Sequence, residues 1–257
     1  MGGWRREPRA LNPVTNDAPE NVEEVPLGRE AGGGKVMSES PEFTAAADPP
    51  NRRAACQSAY REHARSYDRQ TGAFGRYRQA VVEALPVRRG QAVLDVGSGT
   101  GLCSGLLRDK VGPQGSVVGI EASPEMAAVA RERIAAESWR NVTVVQSPAE
   151  DAEIAVPADA ALFCAVHDIL QSPDALRNVI SQLRPGARVA AGGGKWAARW
   201  MVGVNLQARV MHAPYVRSFE GFGRPWRHLE QLIEDVNVRE MTFGTGYIVT
   251  GQAPKRS

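Results

Sequence analysis

Five short apolar runs follow one another between residues 91 and 194, with helical stretches in most of the gaps, and this alternation constrains the fold more than any other feature. The runs are "QAVLDVG", "SVVGIEA", "NVTVVQS", "DAALFCAV" and "ARVAAGGG"; the helical stretches are "GLCSGLLRDKV", "SPEMAAVARERIAAES" and "SPDALRNVISQL". Strands joined by crossover helices require a parallel sheet covered on both faces. The C-terminal end follows another rule. "GRPWRHLEQLIEDV" has a helical period, and "NVREMTFG" and "GYIVTGQ" are strands joined at Gly-Thr-Gly. So short a link cannot make a parallel crossover, so these two strands form an antiparallel hairpin. The expected fold class is α/β, a doubly wound, mostly parallel sheet.

Upstream, "RRAACQSAYREHARSYDRQ" and "GRYRQAVVEALP" read as two amphipathic helices, parted near Thr71-Gly72 and stopped by Pro86. Residues 1–50 hold 7 Pro and 6 Gly with no period of either kind, so they are expected to be a disordered tail, with one folded domain over 51–257. Met1 and Met37 both stand open as the start of translation. Lys+Arg minus Asp+Glu is 31 − 29, or +2, and the basic residues are scattered, so no field favours nucleic acid as a partner. No apolar stretch is long enough for stable membrane insertion, and the N-terminus lacks the apolar core of a secretory signal. Cys56, Cys103 and Cys164 have neither metal-ligand spacing nor a pairing pattern, so no metal is expected, Cys103 and Cys164 read as small core residues, and the setting is cytoplasmic.

"VLDVGSGTG" lies where the first strand of the sheet ends, the position at which open α/β sheets bind ligands. Gly97, Gly99 and Gly101 permit positive φ and let the backbone approach a ligand without a Cβ in the way. The spacing is GxGxG rather than the GxGxxG of dinucleotide folds, and Asp95 precedes it. A carboxylate beside the turn repels phosphates and suits a cation. Glu121 closes the next strand, where an acid can accept both hydroxyls of a ribose. A phosphate-free nucleoside with positive charge fits these features, which favours S-adenosyl-L-methionine over NAD as the cofactor. The plain alternative is a structural strand-to-helix turn.

With "VLDVGSGTG", "VVGIEASPEM", "NVTVVQSPAED" and "LRPGARV" in this order, the chain from about 60 to 252 resembles the class I S-adenosylmethionine-dependent methyltransferases, small-molecule type. The resemblance implies a seven-stranded Rossmann-like sheet of order 3-2-1-4-5-7-6 with strand 7 antiparallel. It implies that the backbone at Gly97, Gly99 and Gly101 packs against the methionine part, with Asp95 near its ammonium group. Glu121 would hold the ribose, Ala122 the adenine face, and Ala149 and Glu150 the adenine edge. Pro148 departs from the Asp of many relatives, removing the usual contact to the adenine amino group. Ala165 and Val166 would border the methyl-transfer zone, and Tyr67 would cap the cofactor.

Methyl transfer from a sulfonium needs positioning and dryness, and a base only where the acceptor loses a proton of high pKa. His167, after the fourth strand, is the candidate base or acceptor-orienting group; the competing reading is a loop histidine bonded locally. Asp168 would orient His167 or cap the next turn. Residues 195–226 form an acceptor-side insertion holding three of the five Trp, two Met, two Phe and a Tyr. Trp196, Trp200, His212 and Tyr215 are its candidate substrate contacts, with Trp196 and Trp200 spaced to share a helical face. Such a roof suits an apolar or aromatic small molecule, with oxygen favoured over carbon or nitrogen; simple packing of the insertion is the alternative. The absence of a (D/N)PPY-type sequence after the fourth strand lowers the case for amino-group acceptors. A protein side-chain methyltransferase, a dehydrogenase-type module and a catalytically silent S-adenosylmethionine-binding protein are the other readings, and the chain is expected to be a monomer or homodimer.

Overall fold

The computed structural model describes residue 68, residues 71–241 and residues 244–255. The expected tail over 1–50, Tyr67 and, apart from Asp68, the helix expected upstream of Thr71 lie outside the described residues. A seven-stranded sheet runs in the order β3-β2-β1-β4-β5-β7-β6. Its strands are β1 (Ala92–Val96), β2 (Ser116–Glu121), β3 (Val142–Gln146), β4 (Ala158–Cys164), β5 (Leu183–Gly194), β6 (Glu234–Met241) and β7 (Gly246–Gln252). The pairings β1·β2, β1·β4, β2·β3 and β4·β5 are parallel, whereas β7 runs antiparallel to both β5 and β6. The C-terminal hairpin expected from its short link is therefore present.

The helices begin and end where their sequence dictates. α1 (Gly75–Ala84) stops at Leu85, whose φ −80°, ψ 110° is the extended conformation that the following Pro86 imposes. α2 (Leu102–Val111) starts from Gly101 in the left-handed region and ends at Gly112. α3 (Pro124–Ala136) and α5 (Pro173–Ser181) share one start: a serine N-cap, Ser123 or Ser172, whose hydroxyl accepts from the third residue on, with proline at the first helical position. Between them lies the single turn α4 (His167–Leu170), and α6 (Val202–His212) lies in the insertion.

Alternate residues of each strand feed the two faces of the sheet. Val93, Val117, Leu162 and Ile248 pack with Val81 and Val82 of α1 and Leu107 of α2 on one side. Leu94, Ile120, Phe163 and Val249 pack with Leu176 and Val179 of α5 on the other. Among the described residues no helix is long and apolar enough to cross a membrane.

Two expectations are corrected. The helix over "GRPWRHLEQLIEDV" is a run of turns with one 3-10 turn, Leu229–Gln231, and β6 already begins at Glu234. Pro225 cannot donate within a helix, and the i, i+3, i+4 spacing of Leu229, Leu232 and Ile233 meets the core from that single turn. Trp196 and Trp200 share no helical face, because both precede α6, which starts after Met201.

Candidate active site

β1 lies between β2 and β4, and the chain leaves it toward β2 and returns beyond it at β4, so the turn after β1 sits at the switch point of the sheet. Gly97, Gly99 and Gly101 have φ of 67°, 57° and 81°. At Gly97 the space is as restrictive as the dihedral: a Cβ there would lie 2.5 Å from Cγ1 of Val166 in the loop after β4. The two loops that flank the switch point are thus in direct contact. Ala165 of the second loop has φ 59°, a costly conformation for a residue with a side chain, and its N–H donates to the Gly192 carbonyl at 2.7 Å. Ala165 is exposed beside this junction.

Two carboxylates flank the turn. Glu121 accepts from the Gly99 N–H at 2.8 Å with one oxygen and from the Ser123 N–H at 2.8 Å with the other. It ties the glycine turn to the N-terminus of α3, and burial raises its pKa while those amides lower it. Its own carbonyl accepts from the Ser147 N–H at 3.0 Å, which draws the loop after β3 toward the same place. Asp95 is buried and accepts from the Ser104 hydroxyl of α2 at 2.7 Å. Burial lifts its pKa to about 6; Ser104 opposes the lift and the negative charge of Glu121 adds to it. Two anions sharing a partly desolvated corner favour a cation there.

The turn is also fastened from outside. Arg133 of α3 donates through Nε to the Thr100 carbonyl at 2.9 Å and pairs with Asp68, which accepts from the Thr100 hydroxyl at 2.6 Å. Sequence reading missed Ser104, Thr100, Arg133 and Asp68 altogether. The available signal was a polar Ser104 between Cys103 and Leu107 on the buried side of α2.

Of the other expected cofactor contacts, Ala122 is half-buried between Glu121 and Ser123, and Glu150 is half-buried in the loop after β3. Ala149 is buried in the core, its carbonyl accepting from Asn178 at 2.9 Å. The structure therefore brings together Asp95, Gly97, Gly99, Gly101 and Glu121, sets Ala122 beside them, and places Ala165 across the junction.

Just after β4, His167 Nε2 lies 3.0 Å from the Glu220 carbonyl, which makes Nε2 the protonated nitrogen and leaves a lone pair on Nδ1. Nδ1 is buried and makes no hydrogen bond. Burial lowers the His167 pKa, against opposing contributions from Asp168 and the carbonyls of Glu220 and Ser218. Asp168 lies in the first turn of α4. Its carboxylate accepts from the Arg217 N–H at 3.2 Å and faces the Arg217 side chain at 3.6 Å, so it anchors the insertion.

Phe222 is buried between aromatic neighbours: His167 at 5.1 Å, Trp196 at 4.8 Å and His212 at 5.4 Å between ring centroids. Trp196 also stacks on Phe219 at 5.0 Å. Tyr215 is half-buried in the turn after α6, its N–H donating to the His212 carbonyl. Trp200 stands apart from this cluster, exposed to solvent. Cys103 is buried and Cys164 half-buried, both as free thiols in the core face behind α2.

Strand order, glycine turn and paired acids define the class I S-adenosylmethionine-dependent methyltransferase architecture. Residues 88–199 match a family described as "Methyltransferase domain". A protein-L-isoaspartate O-methyltransferase of Ignicoccus hospitalis is 48% identical over 65 residues, covering 25% of this chain and 31% of that protein. A demethylmenaquinone methyltransferase of Shouchella clausii is 36% identical over 122 residues, covering 46% and 48%. The chain thus spans about a third to a half of the length of these curated relatives. Among solved structures, a phosphoethanolamine N-methyltransferase of Haemonchus contortus in complex with S-adenosyl-L-methionine superposes with TM-score 0.56 at 15% identity, over 77% of this chain and 60% of that one. That likeness is one of fold.

Proposed function

We propose that the protein is a methyltransferase that uses S-adenosyl-L-methionine and acts on a small apolar or aromatic acceptor, at oxygen in preference to carbon or nitrogen. The observation that carries the reading is the pair of carboxylates, Asp95 and Glu121, on either side of a turn with no Cβ in its path. When bound, the cofactor would supply an electrophilic methyl group on a cationic sulphur. The residues fit it. Glu121 keeps a lone pair on each oxygen beyond its two amide bonds, enough for two ribose hydroxyls. Asp95 offers the negative charge that an ammonium group needs, and Gly97, Gly99 and Gly101 leave room for the backbone to approach.

Burial lowers the His167 pKa and so favours the neutral imidazole, whose Nδ1 lone pair would take the proton of an acceptor hydroxyl once binding of the acceptor uncovers it. Trp196, Phe219 and Phe222 keep the surrounding side dry. Asp168 and Arg217 hold the insertion over it. A protein carboxylate as acceptor is the second reading, supported by the 48% local identity to the isoaspartate enzyme.

Calorimetry with S-adenosyl-L-methionine and, separately, NAD tests the cofactor: binding of the first and not the second is expected. Glu121→Ala should then weaken binding by about tenfold or more, the loss of a buried charge-assisted pair of hydrogen bonds; unchanged affinity would remove Glu121 from the site. For the base, methyl transfer by His167→Gln should be slowed by about a hundredfold and lose its dependence on pH below neutrality. An unaltered pH profile would make His167 structural. A radiolabelled methyl-transfer screen on cell extract identifies the acceptor, and no turnover with any fraction would leave a cofactor-binding protein without catalysis.

A further inference from the structure

The insertion helix α6 packs on the domain through one side only. Ala208 is buried, and Val204, Asn205 and His212 are half-buried on the same side. The opposite side should be polar in a helix that faces water. It is apolar instead: Val202 is 71% exposed, Leu206 61% and Val210 68%, at the i, i+4, i+8 spacing that aligns them in one stripe. Gly203, Leu206, Gln207, Val210 and Met211 line a shallow groove of about 420 Å³ along it. Trp200, 81% exposed, stands at the end where the helix begins. One-sided exposure of this kind marks an interaction surface rather than a scatter of surface residues.

The charges around the stripe say what would cover it. From Lys195 to Phe219 the sequence holds no Asp or Glu. Lys195 pairs with Glu240 at 2.9 Å and Arg217 faces Asp168 at 3.6 Å. Arg199 and Arg209 are exposed and meet no carboxylate among the described residues; Arg209 instead lies 5.8 Å over the Phe219 ring. An apolar stripe with exposed arginines and a tryptophan at its end is the composition of a helix that lies in a lipid headgroup region. Eleven residues make about 16 Å of helix, half of a hydrocarbon core, so the geometry is that of lying on a bilayer and not crossing it.

We propose that α6 docks the protein reversibly onto an anionic lipid surface, with Val202, Leu206, Val210 and Trp200 entering the headgroup region and Arg199 and Arg209 meeting lipid phosphates and carboxylates. The proposal goes beyond methyl transfer and stands without it, since the assay contains neither cofactor nor acceptor.

Full-length protein is mixed with vesicles of phosphatidylcholine alone or with phosphatidylserine, and bound protein is measured by flotation. Binding to the anionic vesicles is expected, weakened by salt. Arg199→Gln and Arg209→Gln should each weaken it by about fivefold. Leu206→Asp combined with Val210→Asp should abolish it; if that variant loses its folded circular dichroism, Leu206→Ser with Val210→Ser serves, with a loss of about tenfold. Failure of the unaltered protein to float with anionic vesicles overturns the proposal. So does flotation that the stripe variants leave unchanged. A lipid-independent dimer that Leu206→Asp converts to monomer, without flotation, also overturns it and assigns the stripe to a second copy of the chain.

Discussion

Burial lifts Asp95 to about 6, the neighbouring charge of Glu121 adds to the lift, and one hydroxyl, that of Ser104, opposes it. In the unfolded chain the same carboxyl titrates near 3.9. Between about pH 4 and 6 the folded protein therefore binds more protons than the unfolded one, and its stability falls as the pH rises through that window. Fully ionised at neutral pH, Asp95 costs on the order of 3 kcal/mol. Asp95→Asn keeps an acceptor for Ser104 and removes the charge. It should raise the melting temperature of the ligand-free protein at pH 7 and leave it unchanged near pH 4; an equal or lower melting temperature at pH 7 would show that the charge carries no such cost. A residue that the fold retains against its own stability points to a cationic ligand. Asp95 and the glycines were legible in the sequence because a left-handed turn accepts few residue types and because an acid at the end of a buried strand is conspicuous. Ser104 was not, since a serine within a helix has many uses and only the packing of α2 against β1 selects this one.

At the scale of elements, the core strands followed their apolar runs within a residue or two at most ends, because a strand buried on both faces has little choice of composition. The hairpin followed from its short link. The misread helix before β6 shows the limit: Leu229, Leu232 and Ile233 carry a helical spacing, yet one 3-10 turn suffices to bury them. The contacts of the insertion were illegible for a different reason. Asp168 meets Arg217, and His167 meets the Glu220 carbonyl, across about fifty residues of sequence, and no local period records such pairs. The same holds for the fastening of α3 to the glycine turn. Arg133 joins the last turn of α3 to Thr100 and Asp68, so it couples an element behind the site to the loop that would receive the ligand. Arg133→Ala should weaken S-adenosyl-L-methionine binding by about fivefold or more, from the lower end of the roughly 1–3 kcal/mol of a part-buried charged hydrogen bond, while the core keeps its folded circular dichroism. If affinity does not change, the turn holds its shape through Glu121 and the glycines alone.

Across the whole molecule, a ligand that binds only the folded state raises stability by mass action, by about 2.7 kcal/mol at one hundred times its dissociation constant. For a domain of this size that corresponds to a rise in melting temperature of about 5–10 °C. The size of the rise should depend on pH in a direction that Asp95 sets. Above pH 6 the carboxylate is ionised in the free protein and attracts a cation at no further cost. At pH 5 it is mostly protonated, so binding a cation must first release that proton, and affinity should drop by about tenfold. The thermal shift produced by a fixed concentration of S-adenosyl-L-methionine should therefore be smaller at pH 5 than at pH 7.5. Asp95→Asn should show a shift that is small at both. Burial also lowers the His167 pKa, but the role proposed for it concerns the acceptor and not the cofactor, so His167→Gln should leave the pH dependence of the thermal shift intact while altering that of turnover. Measuring the two variants together separates an anion that holds the cofactor from a base that serves the acceptor. A shift equal at both pH values in the unaltered protein would show that the cation rests somewhere other than beside Asp95.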